Sequence, residues 1–208
     1  MKLTTYDING KKTGEKNVSD TLFEASVNEE LMHRAVLMRL WNARKPIANV
    51  LTRAEVNKSK KKAFKQKGTG RARRGALNTG LVRGGGVIFG PRSEGMVYHK
   101  DMNKKERRAA LFSALTAKKD MSIILEVKVD TPKTKPFSTF LEALDMGKKY
   151  LFVLPNGDDN TVKSIRNLPN STYIRAEYSN PYDILKADSV VYINDAVDVL
   201  ERQFVKIS

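Results

Sequence analysis

The sequence contains no cysteine and only two histidines, His33 and His99, among its 208 residues. The lack of cysteine excludes disulfides and thiolate metal sites, and two distant histidines without partners at metal-ligand spacing predict no metal site. No apolar run approaches the roughly 18 residues that a membrane-spanning helix needs, and the first residues lack the apolar stretch of a signal peptide. We therefore expect a cytoplasmic protein with no cofactor and no membrane partner.

Acidic residues are scarce in the middle of the chain. Residues 44–108 carry nineteen Lys and Arg but four acids, whereas the rest of the chain carries equal numbers of each. The whole net charge of +15 therefore lies in this third, which also holds nine of the thirteen glycines. An excess of this size implies a polyanionic partner. Because so charged a segment cannot offset its own ordering entropy, we predict that residues 44–99 are disordered without that partner.

Motifs of catalysis and nucleotide binding are also missing. The nearest match to a dinucleotide fingerprint begins at Gly68 and Gly70, but it ends on Arg73 instead of glycine, and no strand precedes it. A phosphate-binding loop and a serine nucleophile elbow are absent. We predict that the chain is not an enzyme. The alternative, an RNA-processing enzyme, requires acids such as Asp158 or Asp188 at the carboxyl ends of strands.

Apolar periodicity predicts an α/β fold. Helical spacing is found in residues 28–44, where Asn28 can cap, and from residue 103, where Asn103 and Glu106 have capping-box spacing. Residues 2–8 are typical of a strand and the polar stretch that follows is typical of a turn. Four further apolar runs alternate with helical patterns, at residues 122–127, 150–155, 172–178 and 189–194.

This alternation predicts a mostly parallel sheet flanked by helices, in a three-layer, Rossmann-like arrangement. We expect residues 1–43 and 100–208 to form one globular domain. Residues 44–99, called the basic segment below, are then a long extended loop inserted between two helices.

The basic segment has the chemistry of a nucleic-acid ligand. Residues 58–75 read KSKKKAFKQKGTGRARRG, with nine positive side chains in eighteen residues. Glycine lets the backbone approach a partner closely, and Arg matches phosphate oxygens in pairs, whereas so many glycines oppose an amphipathic membrane helix. Phe64 and Phe89 can stack on an unpaired base, plug an apolar notch, or pack on the protein's own hairpin. A further alternative for the function is a free nucleic-acid chaperone or architectural binder.

Three stretches, KQKGTGRARRG, GGGVIFGPR and NKKERRAALFSAL, carry a resemblance to the bacterial large-subunit ribosomal protein four family. The order of elements is similar over essentially the whole chain. The resemblance implies a structural constituent of the large (50S) subunit that binds 23S rRNA directly, early in assembly. It also implies that the loop penetrates the rRNA core and that its tip forms part of the polypeptide exit tunnel.

The resemblance further implies a ribosome-bound protein in the cytoplasm, with large-subunit rRNA, neighbouring large-subunit proteins and the nascent polypeptide as partners. No homo-oligomer is expected. One departure concerns Ala63 and Phe64, which stand where many relatives carry proline followed by tryptophan or tyrosine.

The resemblance and the charge pattern together assign two sets of site residues. The tip segment, residues 64–71, is expected at the tunnel wall: Phe64, Lys65, Gln66, Lys67, Gly68, Thr69, Gly70 and Arg71. The rRNA-binding set is Arg44, Lys45, Arg53, Lys58, Lys60, Lys61, Lys62, Arg73, Arg74, Arg83, Arg92, His99, Lys100, Lys104, Lys105, Arg107 and Arg108.

Overall fold

The computed structural model describes residues 1–93, 98–129, 131–144, 146–156 and 159–205. They fall into two compact units: the α/β unit, Met1–Arg39 with Asp101–Ser208, and the basic unit, Leu40–Lys100. The strands are β1 (Lys2–Asp7), β2 (Lys12–Asn17), β3 (Ser122–Glu126), β4 (Tyr150–Leu154), β5 (Ser171–Arg175) and β6 (Ser189–Ile193). The helices are α1 (Asp20–Phe23), α2 (Glu29–Asn42), α3 (Lys104–Ala117), α4 (Lys135–Leu144), α5 (Asp159–Ile165), α6 (Pro181–Lys186) and α7 (Ala196–Phe204).

The six strands of the described residues form one mixed sheet in the order β2-β1-β3-β6-β4-β5. Strand β1 runs antiparallel to β2, and the other four pairings are parallel. In register, Ile124 of β3 lies beside Thr5 on one side and Tyr192 on the other. The prediction of an α/β fold is confirmed.

Alternate residues of the central strands belong to two separate apolar clusters. Ile124 and Tyr192 lie in the cluster that includes Leu115 of α3. The intervening Ile123 packs in the other cluster, which includes Phe137 of α4. Because successive side chains of a strand point to opposite faces, both faces of the sheet are covered by apolar side chains. This explains why β4 and β6 are continuous apolar runs.

The interpretation of residues 9–17 as a turn was wrong in part, because Lys12–Asn17 forms strand β2. This strand pairs with β1 alone, at the edge of the sheet, so most of its side chains are exposed and its sequence, KTGEKN, has no apolar alternation. Asn9 and Gly10 precede it, and Gly10 has a φ of +74°. An Asn-Gly pair is a hairpin signal that would have located the strand.

The two predicted helix caps have different outcomes. The Oδ1 atom of Asn28 accepts a hydrogen bond from the backbone N–H of Leu31 at 3.0 Å, so this cap is confirmed. The capping box at Asn103 was wrong, because the Asn103 side chain makes no capping hydrogen bond. Its expected partner Glu106 instead forms an ion pair with Arg34 at 3.4 Å.

Candidate nucleic-acid interface

The basic unit has little regular structure. Between Asn42 and Lys104, the described residues contain no helix and no strand. One isolated bridge joins Lys62 to Ala76, and the N–H of Ala63 donates to the carbonyl of Gly75 at 3.1 Å. The scarcity of apolar residues explains this, since the segment cannot form a core of its own. Instead, a few hydrogen bonds connect its parts.

Two hydrogen bonds join the ends of the basic unit. The Nδ2 atom of Asn42 donates to the carbonyl of Lys100 at 2.9 Å, and the N–H of Lys100 donates to Oδ1 of Asn42 at 2.7 Å. The amide therefore uses both its donor and its acceptor on one backbone residue. We call this pair the neck, because the basic segment begins and ends there.

An aromatic pair orients two of the predicted rRNA-binding cations. Trp41 and Tyr98 pack edge to face with ring centroids 5.8 Å apart. The guanidinium carbon of Arg44 lies 4.7 Å from the Tyr98 centroid and 5.1 Å from that of Trp41, and Nζ of Lys100 lies 4.6 Å from the Trp41 centroid. These distances are typical of cation–π contacts. Arg44 and Lys100 remain exposed, so the rings position their charges without removing them from solvent.

Asn78 holds two distant parts of the basic unit together. Its side chain is only 5 % exposed and donates to the carbonyl of Arg53 at 2.6 Å. The backbone carbonyl of Asn78 accepts the N–H of Gly86 at 3.0 Å. The N–H of Val87, which follows Gly86, donates to the backbone carbonyl of Leu51 at 2.9 Å. Because a buried amide must be hydrogen-bonded, Asn78 holds the chain around Arg53 close to the chain around Gly86.

The basic unit contains one ion pair among its described residues, between Arg92 and Glu55. The Glu55 carboxylate also accepts the backbone N–H of Thr52 at 2.9 Å. That hydrogen bond, followed by the contact with Arg92, holds the pKa of Glu55 below its ordinary value. Arg92, predicted to bind phosphate, therefore already has an anionic partner.

The tip segment is exposed apart from Phe64, which is half-buried. Gly68 has a φ of +81° and Gly70 a φ of +64°, so the backbone turns twice through a conformation that favours glycine. Gln66 accepts a hydrogen bond from Nζ of Lys62. The GTG sequence of residues 68–70 thus produces a tight turn whose side chains face solvent.

The predicted rRNA-binding residues lie in both units. Within the basic unit all are exposed except Arg92, which is half-buried, and Lys58 additionally donates to the carbonyl of Arg83 at 2.7 Å. The members in the basic unit are Arg44, Lys45, Arg53, Lys58, Lys60, Lys61, Lys62, Arg73, Arg74, Arg83, Arg92, His99 and Lys100. The remaining four, Lys104, Lys105, Arg107 and Arg108, lie in the first turns of α3.

In the α/β unit, a cleft of about 360 Å³ lies beside these α3 residues. Lys104 and Arg107 line it together with Arg39 of α2, and Tyr178 and Pro181 line it from the segment that leads into α6. Sequence reasoning did not find this cleft, because its lining comes from α2, α3 and the segment before α6, which are far apart in the chain and carry no motif.

Residues 16–203 match the model of the ribosomal protein L4/L1 family. The chain is 40 % identical over 202 residues to the large ribosomal subunit protein uL4 of Pelotomaculum thermopropionicum, covering 96 % of this chain and 97 % of the relative. It is 38 % identical over 206 residues to the protein of the same name from Natranaerobius thermophilus, covering 98 % and 99 %. The chain belongs to the ribosomal protein L4/L1 family. The resemblance carried by its motifs is confirmed.

Membership decides the enzyme question, because this is a family of structural, non-enzymatic ribosomal proteins. Of the two acids that the alternative required, Asp158 lies outside the described residues. Asp188 accepts the backbone N–H groups of Lys148 and Lys149, each at 3.0 Å. These bonds hold the pKa of Asp188 below its ordinary value, which suits a structural acceptor and not a proton donor.

Among the described residues, no group of three or more His, Cys, Asp or Glu could hold a metal ion. No helix in the described part of the chain is long and apolar enough to cross a membrane.

Proposed function

We propose that the chain is a structural constituent of the large ribosomal subunit and binds 23S rRNA directly, early in 50S assembly. The observation that carries this proposal is the charge of the basic unit, whose cations are exposed and, Arg92 apart, have no carboxylate partner among the described residues. Family membership supports it, since the relatives are named as large-subunit proteins.

The basic segment, residues 44–99, is proposed to be a long extended loop that penetrates the rRNA core and is disordered without RNA. The tip segment then forms part of the polypeptide exit tunnel, where it meets the nascent chain. The positive φ of Gly68 and Gly70 supports this assignment, because a turn without side chains at these positions leaves space beside it. Neighbouring large-subunit proteins are the other partners, and the protein acts as one copy in the cytoplasmic ribosome.

We also propose that the α/β unit is one three-layer, Rossmann-like domain, consistent with its two apolar clusters on opposite strand faces. The cations of α3, Lys104, Lys105, Arg107 and Arg108, are assigned to its rRNA contacts because they are exposed or half-buried at the start of that helix.

Salt dependence tests rRNA binding. Purified full-length chain is titrated with deproteinised 23S rRNA at several salt concentrations, and the logarithm of the affinity should fall linearly with the logarithm of the salt concentration. Each neutralised phosphate contributes a slope of about 0.7 to 0.9. Replacing Lys60, Lys61 and Lys62 with alanine should lower the slope by about 2 to 3 in total. A weak affinity that does not vary with salt would contradict the proposal.

The remaining alternative is a free nucleic-acid chaperone or architectural binder. Sedimentation distinguishes this alternative from a ribosomal constituent. A ribosomal constituent stays with the large subunit through a salt wash, whereas a free binder appears in the supernatant.

A further inference from the structure

Phe89 is entirely exposed, with a relative accessibility of 104 %. By contrast, Phe23, Phe137, Phe140 and Phe152 are at most 1 % exposed in the α/β unit. An aromatic ring left in water forfeits the hydrophobic stabilisation that burial would provide. Packing on the protein's own hairpin, one of the alternatives for this ring, is therefore excluded for Phe89.

The backbone of Phe89 is held in an uncommon conformation. Its φ is +53°, in the left-handed region that bulky side chains seldom adopt. A residue stays in this region only where the surrounding structure imposes it, and such residues cluster at sites that contact ligands. Exposure and backbone strain thus coincide at one side chain.

The chain on both sides of Phe89 is anchored. A Cβ atom on Gly86 would lie 2.1 Å from the backbone nitrogen of Arg53, and one on Gly90 would lie 2.2 Å from Cγ2 of Val50. The N–H of Val50 also donates to the carbonyl of Pro91 at 3.1 Å. Glycine permits both close approaches, so the ring projects from a turn that is packed against residues 50–53.

The charge around this turn indicates the partner. The basic unit has two acids, Glu55 and Glu94, against fifteen Lys and Arg, and the carboxylate of Glu55 is engaged by Arg92 and Thr52. Arg53 and Arg83, which belong to the same anchored region, are exposed cations. An RNA strand supplies phosphates for such cations and a flat base for the ring, which is the usual combination in single-stranded RNA recognition.

We propose that Phe89 stacks on an unpaired base of rRNA and that the anchored turn around it holds the ring in place for this contact. The proposal rests on the proposed function, because it names one side chain of that rRNA interface. Phosphate contacts position a nucleic acid, whereas the stacked ring adds a contact that does not depend on salt.

The test compares full-length variants for binding to deproteinised 23S rRNA. Phe89→Ala should weaken binding about 5- to 150-fold, the range found for loss of one base stack. Phe89→Tyr should bind within about twofold of the unchanged chain, because it keeps the ring. The slope of affinity against salt should be the same for all of these chains, because Phe89 neutralises no phosphate.

Leu81→Ala is the matched control, since Leu81 is an apolar side chain of the same unit that is 93 % exposed. It should bind as the unchanged chain does. Phe89→Gly relieves the strain at φ +53° and should fold at least as well as the parent while losing the same affinity as Phe89→Ala. Ultraviolet cross-linking followed by mass spectrometry should find rRNA bases attached at residue 89.

Equal rRNA affinity of Phe89→Ala and the parent chain would overturn the stacking proposal while leaving rRNA binding intact. Failure of the parent chain itself to bind in a salt-dependent manner would instead overturn the proposed function. A Phe89→Ala chain that binds naked rRNA normally but no longer assembles into large subunits would assign the ring to a protein pocket, and would also contradict the proposal.

Discussion

Asn42 and Lys100, 58 positions apart in the sequence, form two hydrogen bonds, at 2.9 Å and 2.7 Å. Asn42 directly follows Trp41, which forms with Tyr98 the aromatic pair that contacts the cations of Arg44 and Lys100. A segment with no core of its own therefore has its two ends joined by one amide side chain. Each such hydrogen bond contributes on the order of 1 kcal/mol.

Asn42→Ala should open the neck, because alanine can neither donate to nor accept from the Lys100 backbone. Hydrogen–deuterium exchange of the Lys100 amide should become about 5- to 30-fold faster, corresponding to the loss of about 1 to 2 kcal/mol. Asn49→Ala, in an exposed position of the same unit, is the control and should leave that exchange rate unchanged. Unchanged exchange in Asn42→Ala would show that the neck is held by other contacts.

Glu55→Gln should raise the affinity for 23S rRNA. The substitution releases Arg92 from its ion pair and makes it available to a phosphate, so the slope of affinity against salt should increase by about 0.7 to 0.9. Asp120→Asn changes the net charge equally, at an exposed position of the α/β unit, and should have a much smaller effect. Equal effects of the two substitutions would mean that net charge alone matters.

Acid should weaken the α/β unit in part through Asp188. Hydrogen bonds from Lys148 and Lys149 lower the pKa of Asp188 in the folded chain, so its contribution is complete above the ordinary pKa of about 3.8. The contribution is lost as the pH falls through the lowered pKa, where the folded chain takes up the proton.

Asp188→Ala should accordingly lower the thermal midpoint at neutral pH, and the difference from the parent chain should shrink as the pH falls below that ordinary value. Thermal denaturation followed by circular dichroism over a pH series measures both effects. A difference that stays constant with pH would show that the carboxylate's charge is not involved.

Tyr192→Phe should leave the free energy of unfolding of the α/β unit unchanged, or raise it by about 1 to 3 kcal/mol. The Tyr192 hydroxyl is fully buried and makes no hydrogen bond of ordinary geometry among the described residues. Burial raises its pKa well above the ordinary value, and the Ser122 side chain only partly opposes this. The substitution keeps the edge-to-face packing against Phe23, whose centroid lies 5.9 Å away. Denaturant unfolding measures the change, and a loss of more than about 1 kcal/mol would reveal a partner for the hydroxyl.

The sequence predicted those strands whose burial is visible in the pattern of their own residues. Strands β4 and β6 are buried on both faces and appear as continuous apolar runs, so their positions were evident. Strand β2 was not, because an edge strand with exposed polar residues has no such pattern. The strand order and the Glu106–Arg34 ion pair depend on residues far apart in the chain, which periodicity does not connect.

The candidate site likewise contains residues that the sequence predicted and residues that it did not. Charge and glycine content identified the cations of residues 58–75, since these properties are visible in composition. The roles of Asn42 and Asn78 could not be predicted, because each pairs with a backbone group far along the chain and any polar residue has the same appearance in sequence. For Phe89, the sequence left several alternatives open, and its exposure in the structure excluded packing on the protein's own hairpin.

The central claim is that the basic segment is ordered by rRNA in the large subunit, and protease protection tests it most directly. Trypsin should cleave the free chain after Lys67 or Arg71, which are both exposed in the tip segment. The same bonds should resist trypsin once the chain is incorporated into large subunits, while an exposed site in the α/β unit serves as the internal reference. Cleavage at equal rates in the free and the incorporated chain would contradict the account.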